Sequence, residues 1–205
     1  MPDLDVRRLF DRFAHLYDTG WLQRALYVGL QNLALAELRA LRPASVLDVG
    51  CGTGIFAARL EQDLAPAAVA GCDLSAGMLA QAAARSRRVG WMQGDSARLP
   101  LRSGAVDAVV CTQAFHFFDQ PAAWREFRRV LAPGGHALVG MINPGTDAAS
   151  RRLGRLSSAA TWPTRKAMRR LATDAGLEVV AQSEAQWRLA RLFPLVLTVG
   201  RAPAD

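Results

Sequence analysis

Three glycines at alternate positions, Gly50, Gly52 and Gly54, follow an apolar run that carries one carboxylate, Val46-Leu47-Asp48-Val49. Glycine has no Cβ, so a chain built this way can turn sharply and let a ligand approach its backbone. A helix starting just after the turn would add unpaired N–H groups at the same place. Two details separate the segment from a dinucleotide site. The spacing is Gly-x-Gly-x-Gly rather than the Gly-x-Gly-x-x-Gly that seats a pyrophosphate on a helix. Asp48 also sets negative charge where a pyrophosphate would be repelled and a cationic amino-acid ligand would be welcome. No Gly-Lys-Ser/Thr follows, which excludes a P-loop.

Two further acidic tips follow. In Gly71-Cys72-Asp73-Leu74-Ser75, Asp73 ends a second apolar run, where a carboxylate can accept hydrogen bonds from both ribose hydroxyls. Asp73 and Ser75 are equally good helix N-caps, so a purely local role stands beside the ribose role. In Gln93-Gly94-Asp95-Ser96, Asp95 can accept from an exocyclic adenine amine, or can simply make a turn.

Positioning these tips requires short strands alternating with helices. Apolar residues three and four apart make 5–40 helical in two stretches, and Pro43 stops the second. Strands are expected at Val46–Val49, Ala67–Cys72, Val89–Gln93, Val106–Thr112 and His136–Ile142. Helices fall between them at Gly54–Leu64, Ala76–Arg85 and Ala122–Leu131, the last punctuated by Asp119 and Pro121 before it and Pro133-Gly134-Gly135 after it. Such alternation gives a parallel sheet covered on both faces by right-handed crossovers. A polar stretch, 143–163, leads to a helix at Thr164–Ala175 and strands at Leu177–Ala181 and Leu192–Val199, which read as an antiparallel hairpin at the sheet edge.

With 205 residues, 51% hydrophobic and 21% charged, the chain suits one folded domain and excludes a disordered tail. No apolar run approaches the roughly 20 residues of a membrane span, and the charged N-terminus is unlike a signal peptide, so a cytoplasmic protein is expected. Cys51, Cys72 and Cys111 show no metal spacing and read as packing residues in strands. The net charge of +7 is almost all arginine, with Lys166 the single lysine. It reads either as a solvated surface or as a basic face for an anionic partner.

Taken in order, VLDVGCGTG, GCDLSAGML, QGDSARLPL, VDAVVCTQAFHFF and WREFRRVLAPGGHALV resemble the class I S-adenosylmethionine (SAM)-dependent methyltransferases. The resemblance is closest to their small-molecule branch, the methyltransferase-11 type, which includes quinone-, sterol- and trans-aconitate-type enzymes. It covers Pro43 to Asn143 strongly and the flanking segments more loosely. It implies a doubly wound, mostly parallel seven-stranded sheet with an antiparallel last strand, and SAM as cofactor. By position it implies Asp48 and the backbone of Gly50, Cys51 and Gly52 on the methionine portion, with Asp73 on the ribose. Leu74 and Met78 would meet the adenine face, Asp95 and Ser96 its edge, and Gln113 the methionine carboxylate or sulfonium region. The chain then divides into an N-terminal helical cap (1–42), a cofactor-binding core (43–143), and a helix with an edge hairpin (144–205).

The acceptor side is less legible. A sulfonium is an activated donor, so orientation matters most, and a base is needed only if the acceptor keeps its proton. His116 is the candidate base, with a rim or packing histidine as the alternative. His15 and Tyr17 lie where the family folds an N-terminal helix over the cofactor; Tyr17 either touches SAM or packs in the core. Phe115, Phe117, Phe118, Trp21 and Trp162 would line an apolar acceptor pocket or be core aromatics. The marks of DNA amino- and cytosine-methylating enzymes are absent, and no Asp/Glu/His cluster suggests a metal. The expected function is in-line methyl transfer to an O, N or C nucleophile of a small molecule. An RNA- or protein-directed enzyme and a non-catalytic SAM-binding regulator are the alternatives, and nucleic acid is not the expected partner. The 143–163 connection is short for this branch and carries Arg151, Arg152 and Arg155. Either the pocket is open, or the N-terminal helices and a partner subunit of a homodimer complete it. An open, basic pocket suits an anionic or membrane-associated acceptor.

Overall fold

The computed structural model describes residues 27–64, 68–154, 160–186 and 194–204. The first described helix, α1 (Val28–Leu41), ends on Arg42 in the left-handed conformation just before Pro43. The chain then runs through β1 (Ser45–Val49), α2 (Ile55–Asp63), β2 (Ala68–Asp73), α3 (Ala76–Arg85), β3 (Gly90–Gln93) and β4 (Val106–Thr112). After a 3-10 turn at Phe115–Phe117 come α4 (Gln120–Val130), β5 (Leu131–Ile142), α5 (Asp147–Gly154), α6 (Arg165–Asp174), β6 (Glu178–Glu184) and β7 (Leu195–Arg201).

The seven strands form one sheet in the order β3-β2-β1-β4-β5-β7-β6. β1 pairs in parallel with β2 and β4, whereas β7 runs antiparallel to both β5 and β6. This is the mixed sheet of a class I methyltransferase fold, and the late hairpin lies at the edge as expected, with β7 on its inner side. Winding reverses between β1 and β4, and ligands of such sheets bind in the crevice beyond the carboxyl ends of the strands at that point.

Strand period sorts the core. On one face Trp124 and Phe127 of α4 and Met168 and Ala172 of α6 pack against Leu47, Val109 and Val139. On the other, Leu30 and Leu38 of α1 and Phe56 and Leu60 of α2 pack against Val46, Ala108, Val110 and Leu138. Neighbouring residues of one strand thus serve opposite faces, which explains why these strands read as unbroken apolar runs. Ser45 and Asp107 lock the start of β1 to β4: the Ser45 N–H and hydroxyl both donate to Asp107 Oδ2, at 2.9 and 2.8 Å.

Three local features differ from the sequence expectation. The 143–163 stretch contains a helix, α5, whose Thr146 hydroxyl accepts the Ala149 N–H at 3.2 Å as an N-cap does. Pro133-Gly134-Gly135 does not separate helix from strand but lies within β5, where the β4 register shifts between Val106 and Ala108. Gly135 is required there, because a Cβ would meet the Asp107 carbonyl oxygen at 2.8 Å. Finally, α4 begins at Gln120, with Asp119 as N-cap accepting from Ala122 N–H at 3.1 Å and Pro121 in the first turn. Among the described residues no helix is long and apolar enough to cross a membrane.

Candidate functional site

The carboxyl ends of β1, β2 and β3 are tied into a rim. Cys72 O accepts the N–H groups of both Gly50 and Cys51, at 2.8 and 3.2 Å. The Asp73 carboxylate accepts Gly52 N–H through Oδ2 at 2.8 Å and Ser75 N–H through Oδ1 at 2.9 Å. Gly94 N–H reaches Asp73 O at 3.1 Å. Ser75, not Asp73, caps α3, its hydroxyl accepting Met78 N–H at 3.1 Å. The N–H groups of Gly50, Cys51 and Gly52 are therefore spent within the rim, unlike the free amides of phosphate-binding glycine loops.

The glycine positions are enforced. Gly50, Gly52 and Gly54 all have positive φ. A Cβ on Gly50 would lie 2.4 Å from the Ala114 Cβ, whereas one on Gly52 would meet nothing within 4 Å. The chain is thus packed tight behind Gly50 and open at Gly52, where a ligand can come against the backbone.

Above the rim lies a cavity of about 320 Å³. Its walls include Asp48, Gly50, Cys51, Gly52, Asp73, Leu74, Met78, Asp95, Ser96 and Gln113, so ten of the twelve residues expected from the sequence come together here. Tyr17, with His15 and Trp21, lies outside the described residues. His116 is not part of the lining. It is buried, its ring stacked on Trp162 at 4.2 Å and 16° and against Phe117 at 4.0 Å, with Nδ1 unpartnered. Burial drives its pKa down to about 3, so the ring stays neutral. This is the arrangement of a packing histidine.

The aromatics divide in the same way. Phe117 and Phe118 line the cavity, whereas Phe115 is fully buried against Trp124 and Phe127. Trp162 belongs to a strap beside the 3-10 turn. Thr161 N–H donates to His116 O at 2.7 Å, Gln120 Nε2 donates to Thr161 O at 2.9 Å, and Asn143 Nδ2 donates to Pro163 O at 2.8 Å.

Tyr27, Gln31 and Asp119 also line the cavity without having been expected there. Gln31 was detectable in principle, being a buried polar side chain among Leu30, Ala34, Leu35 and Leu38 on the apolar stripe of α1. Nothing local marks Tyr27, which only tertiary packing brings to the site.

Charge is the site's clearest property. Asp48, Asp73, Asp95 and Asp119 line the cavity, and the described lining holds no lysine, arginine or histidine. Asp48 is 2% exposed, and burial first, then the nearby Asp73 charge, push its carboxyl up to about 8, partly opposed by a hydrogen bond from Ala57 N–H in the first turn of α2. Cys51, Cys72 and Cys111 are free thiols, raised above the ordinary range chiefly by burial and so kept protonated. Gln113 at the end of β4 has φ +56°, a strained backbone of the kind that persists where surrounding structure fixes it, often at binding sites. An acidic cavity with an amide-poor glycine turn fits a cationic ligand.

In fold the chain is similar to class I, SAM-dependent methyltransferases. Residues 47–139, a little under half of the chain, match the family model Methyltransf_11, described as a methyltransferase domain. The chain is 34% identical over 153 residues to a malonyl-[acyl-carrier protein] O-methyltransferase of Herminiimonas arsenicoxydans, covering 71% of this chain and 55% of that protein. It is also 34% identical over 143 residues to a demethylmenaquinone methyltransferase of Deinococcus radiodurans, covering 65% and 58%. The chain therefore spans little more than half the length of these curated relatives. Among solved structures, a Haloferax volcanii methyltransferase in complex with the Trm112 activator overlays with a TM-score of 0.84 at 25% identity, over 98% of both chains. The SAH-bound magnesium protoporphyrin IX methyltransferase of Synechocystis shares the fold, with a TM-score of 0.75 at 22% identity over 98% of this chain and 99% of that one.

Proposed function

We propose that this chain transfers the methyl group of SAM to a small-molecule acceptor. The observation that carries the reading is the acidity of the cavity: four aspartates and no described cation line it, in a chain of net charge +7. Asp48 and the backbone of Gly50, Cys51 and Gly52 would take the methionine portion, their spent N–H groups suiting its ammonium rather than an anion. Asp73 would take the ribose, Leu74 and Met78 the adenine face, Asp95 and Ser96 its edge, and Gln113 the methionine end. Bound SAM supplies a methyl group on a cationic sulfonium that leaves as a neutral thioether.

On the acceptor side, Tyr27, Gln31, Phe117 and Phe118 form an apolar wall with polar handles, suited to a partly planar molecule. Holding the nucleophile in line and away from water is what such a wall contributes. His116 is packed apart from the lining, and an acceptor whose nucleophile is already ionised needs no base from the chain. The malonyl-carrier-protein and demethylmenaquinone relatives make a carboxylate and a quinone-type ring the first acceptors to try.

Calorimetry tests the cofactor half. SAM and SAH should both bind at about one per chain, and Asp48→Asn should weaken both, since both carry the ammonium that Asp48 would hold. No SAM binding, or unchanged affinity in the variant, would overturn the reading. SAH release across an acceptor panel then tests catalysis. A second reading, favoured by the end-to-end overlay on the Trm112-bound methyltransferase, is an enzyme that works with a small protein activator. Co-expression with such an activator, followed by purification and assay, distinguishes the two.

A further inference from the structure

Among the described helices that flank the sheet, positive charge is distributed unequally between its two faces. α4 carries three arginines against Glu126, and α6 carries three arginines and Lys166 against Asp174, five more positive than negative charges on two helices. α1, α2 and α3 carry three arginines against Glu37, Glu61 and Asp63 and so balance. α4 and α6 pack side by side, both seated on one sheet face through Trp124, Phe127, Met168 and Ala172.

The two sets also differ in how their cations are paired. Around the balanced helices Arg39 and Arg59 share Asp63, and Arg88, in the loop after α3, meets Glu61. On the other, Arg125, Arg128 and Lys166 make no ion pair or hydrogen bond among the described residues. Arg169 makes only long contacts, 3.4 Å to Val179 O and 3.5 Å to Gln182. Arg170 meets Asp174 at 3.4 Å with both side chains mostly exposed, a pair that water screens almost completely.

What this face lacks narrows the partner. Protein interfaces are anchored by buried apolar and aromatic side chains, yet among the described residues the only exposed large hydrophobic is Val180, on β6. Among the described residues of this face the same lack leaves no aromatic platform on which nucleic acid bases could stack. A polyanion held by charge alone over a broad helical surface remains, and basic clusters bind anionic lipid headgroups in this manner. The face also adjoins the cavity: Asp119, the N-cap of α4, lines it, and the strap leading into α6 is bonded to His116. We propose that the α4–α6 face docks this protein on an anionic membrane surface, setting the cavity mouth beside the lipid.

Vesicle co-sedimentation of the full chain tests this. The protein should pellet with mixed phosphatidylcholine–phosphatidylglycerol vesicles at low salt, stay in solution with phosphatidylcholine alone, and be released by salt. Arg125→Ala/Arg128→Ala/Lys166→Ala should weaken vesicle binding about tenfold or more. Arg39→Ala/Arg59→Ala/Arg88→Ala, which removes the same charge from the balanced face, should have little effect. SAM binding should be unchanged in both variants, and a wild type that pellets with anionic vesicles yet fails to bind SAM would count against the methyl-transfer reading and not this one. Equal loss in both triple variants would overturn the docking face, as would indifference of the wild type to anionic lipid. Tighter, face-dependent binding to an RNA oligonucleotide that strips the protein from vesicles would replace the membrane with nucleic acid.

Discussion

The Asp73 carboxylate holds Gly52 by its backbone N–H at 2.8 Å, so the acidic tip of β2 sets the shape of the glycine turn that follows β1. The same carboxylate takes Ser75 N–H through its other oxygen. A residue that also lines the cavity is thereby a structural strut between two strand ends. Asp73→Ala should lower both SAM and SAH affinity by at least about tenfold and lower stability by about 1–3 kcal/mol, since hydrogen bonds to charged groups are worth that much. Calorimetry and chemical denaturation on the same preparations separate the two effects. A variant with full ligand affinity would remove Asp73 from the site.

Gly50→Ala should be worse for the fold than Gly52→Ala. Both positions have positive φ, which costs an L-residue about 1–2 kcal/mol, but only at Gly50 would the new Cβ also strike Ala114, at 2.4 Å. At Gly52 the Cβ would point into open space, so that variant should fold and lose ligand affinity instead. Thermal melts with and without SAH check the pair; equal destabilisation would contradict the geometry.

Asp48 should make cofactor binding sensitive to pH. The folded, ligand-free protein binds a proton at Asp48 up to about 8, whereas the unfolded chain releases it near 3.8. Between these values the folded state holds the extra proton, so this group's contribution to stability is complete below 3.8 and is lost as pH rises to about 8. A cationic ligand favours the ionised carboxylate, so SAM affinity should rise with pH up to about 8 and then level, with proton release on binding. Calorimetry in buffers of different ionisation heat reads the proton directly. Asp48→Asn should abolish both trends, and a flat wild-type profile would rule out the coupling.

His116→Phe should leave methyl transfer and its pH profile nearly unchanged. The imidazole is stacked between Trp162 and Phe117 and held neutral, and a phenyl ring can keep those contacts while removing the unpartnered Nδ1. Trp162→Ala, by contrast, should cost about 0.5–1.5 kcal/mol, the usual worth of an aromatic pair, and loosen the strap. Loss of turnover in a well-folded His116→Phe protein would restore the histidine as a base.

Much of this was legible because each strand end announced itself locally. Val46–Gly54 had to be strand, turn and helix start, and the Asp119-x-Pro121 pair marked the start of α4 to within its cap. α5 was missed because Asp147–Gly154 has too few apolar residues to make a stripe, and only the Thr146 cap betrays it. Pro133-Gly134-Gly135 was read as a stop because those residues normally end helices, whereas here the β4 register shift absorbs them within the strand. Tyr27 reaches the cavity only because α1 packs across β4, β5 and β7, a contact between segments far apart in sequence. The part of the cavity made of strand ends could be read; the part made by packing between segments distant in sequence could not.

β7, the last strand of the sheet in sequence order, is an interior one: it fills the gap between β5 and β6, pairing with β5 from His136↔Arg201 to Ile142↔Leu195. During synthesis β6 emerges with no neighbour to join, and the sheet waits for Leu195–Arg201 before it can close. A premature stop or a proteolytic clip in the final stretch would thus open the flank of β5 and orphan β6 at once. Quality control acting on incomplete chains would find its target there.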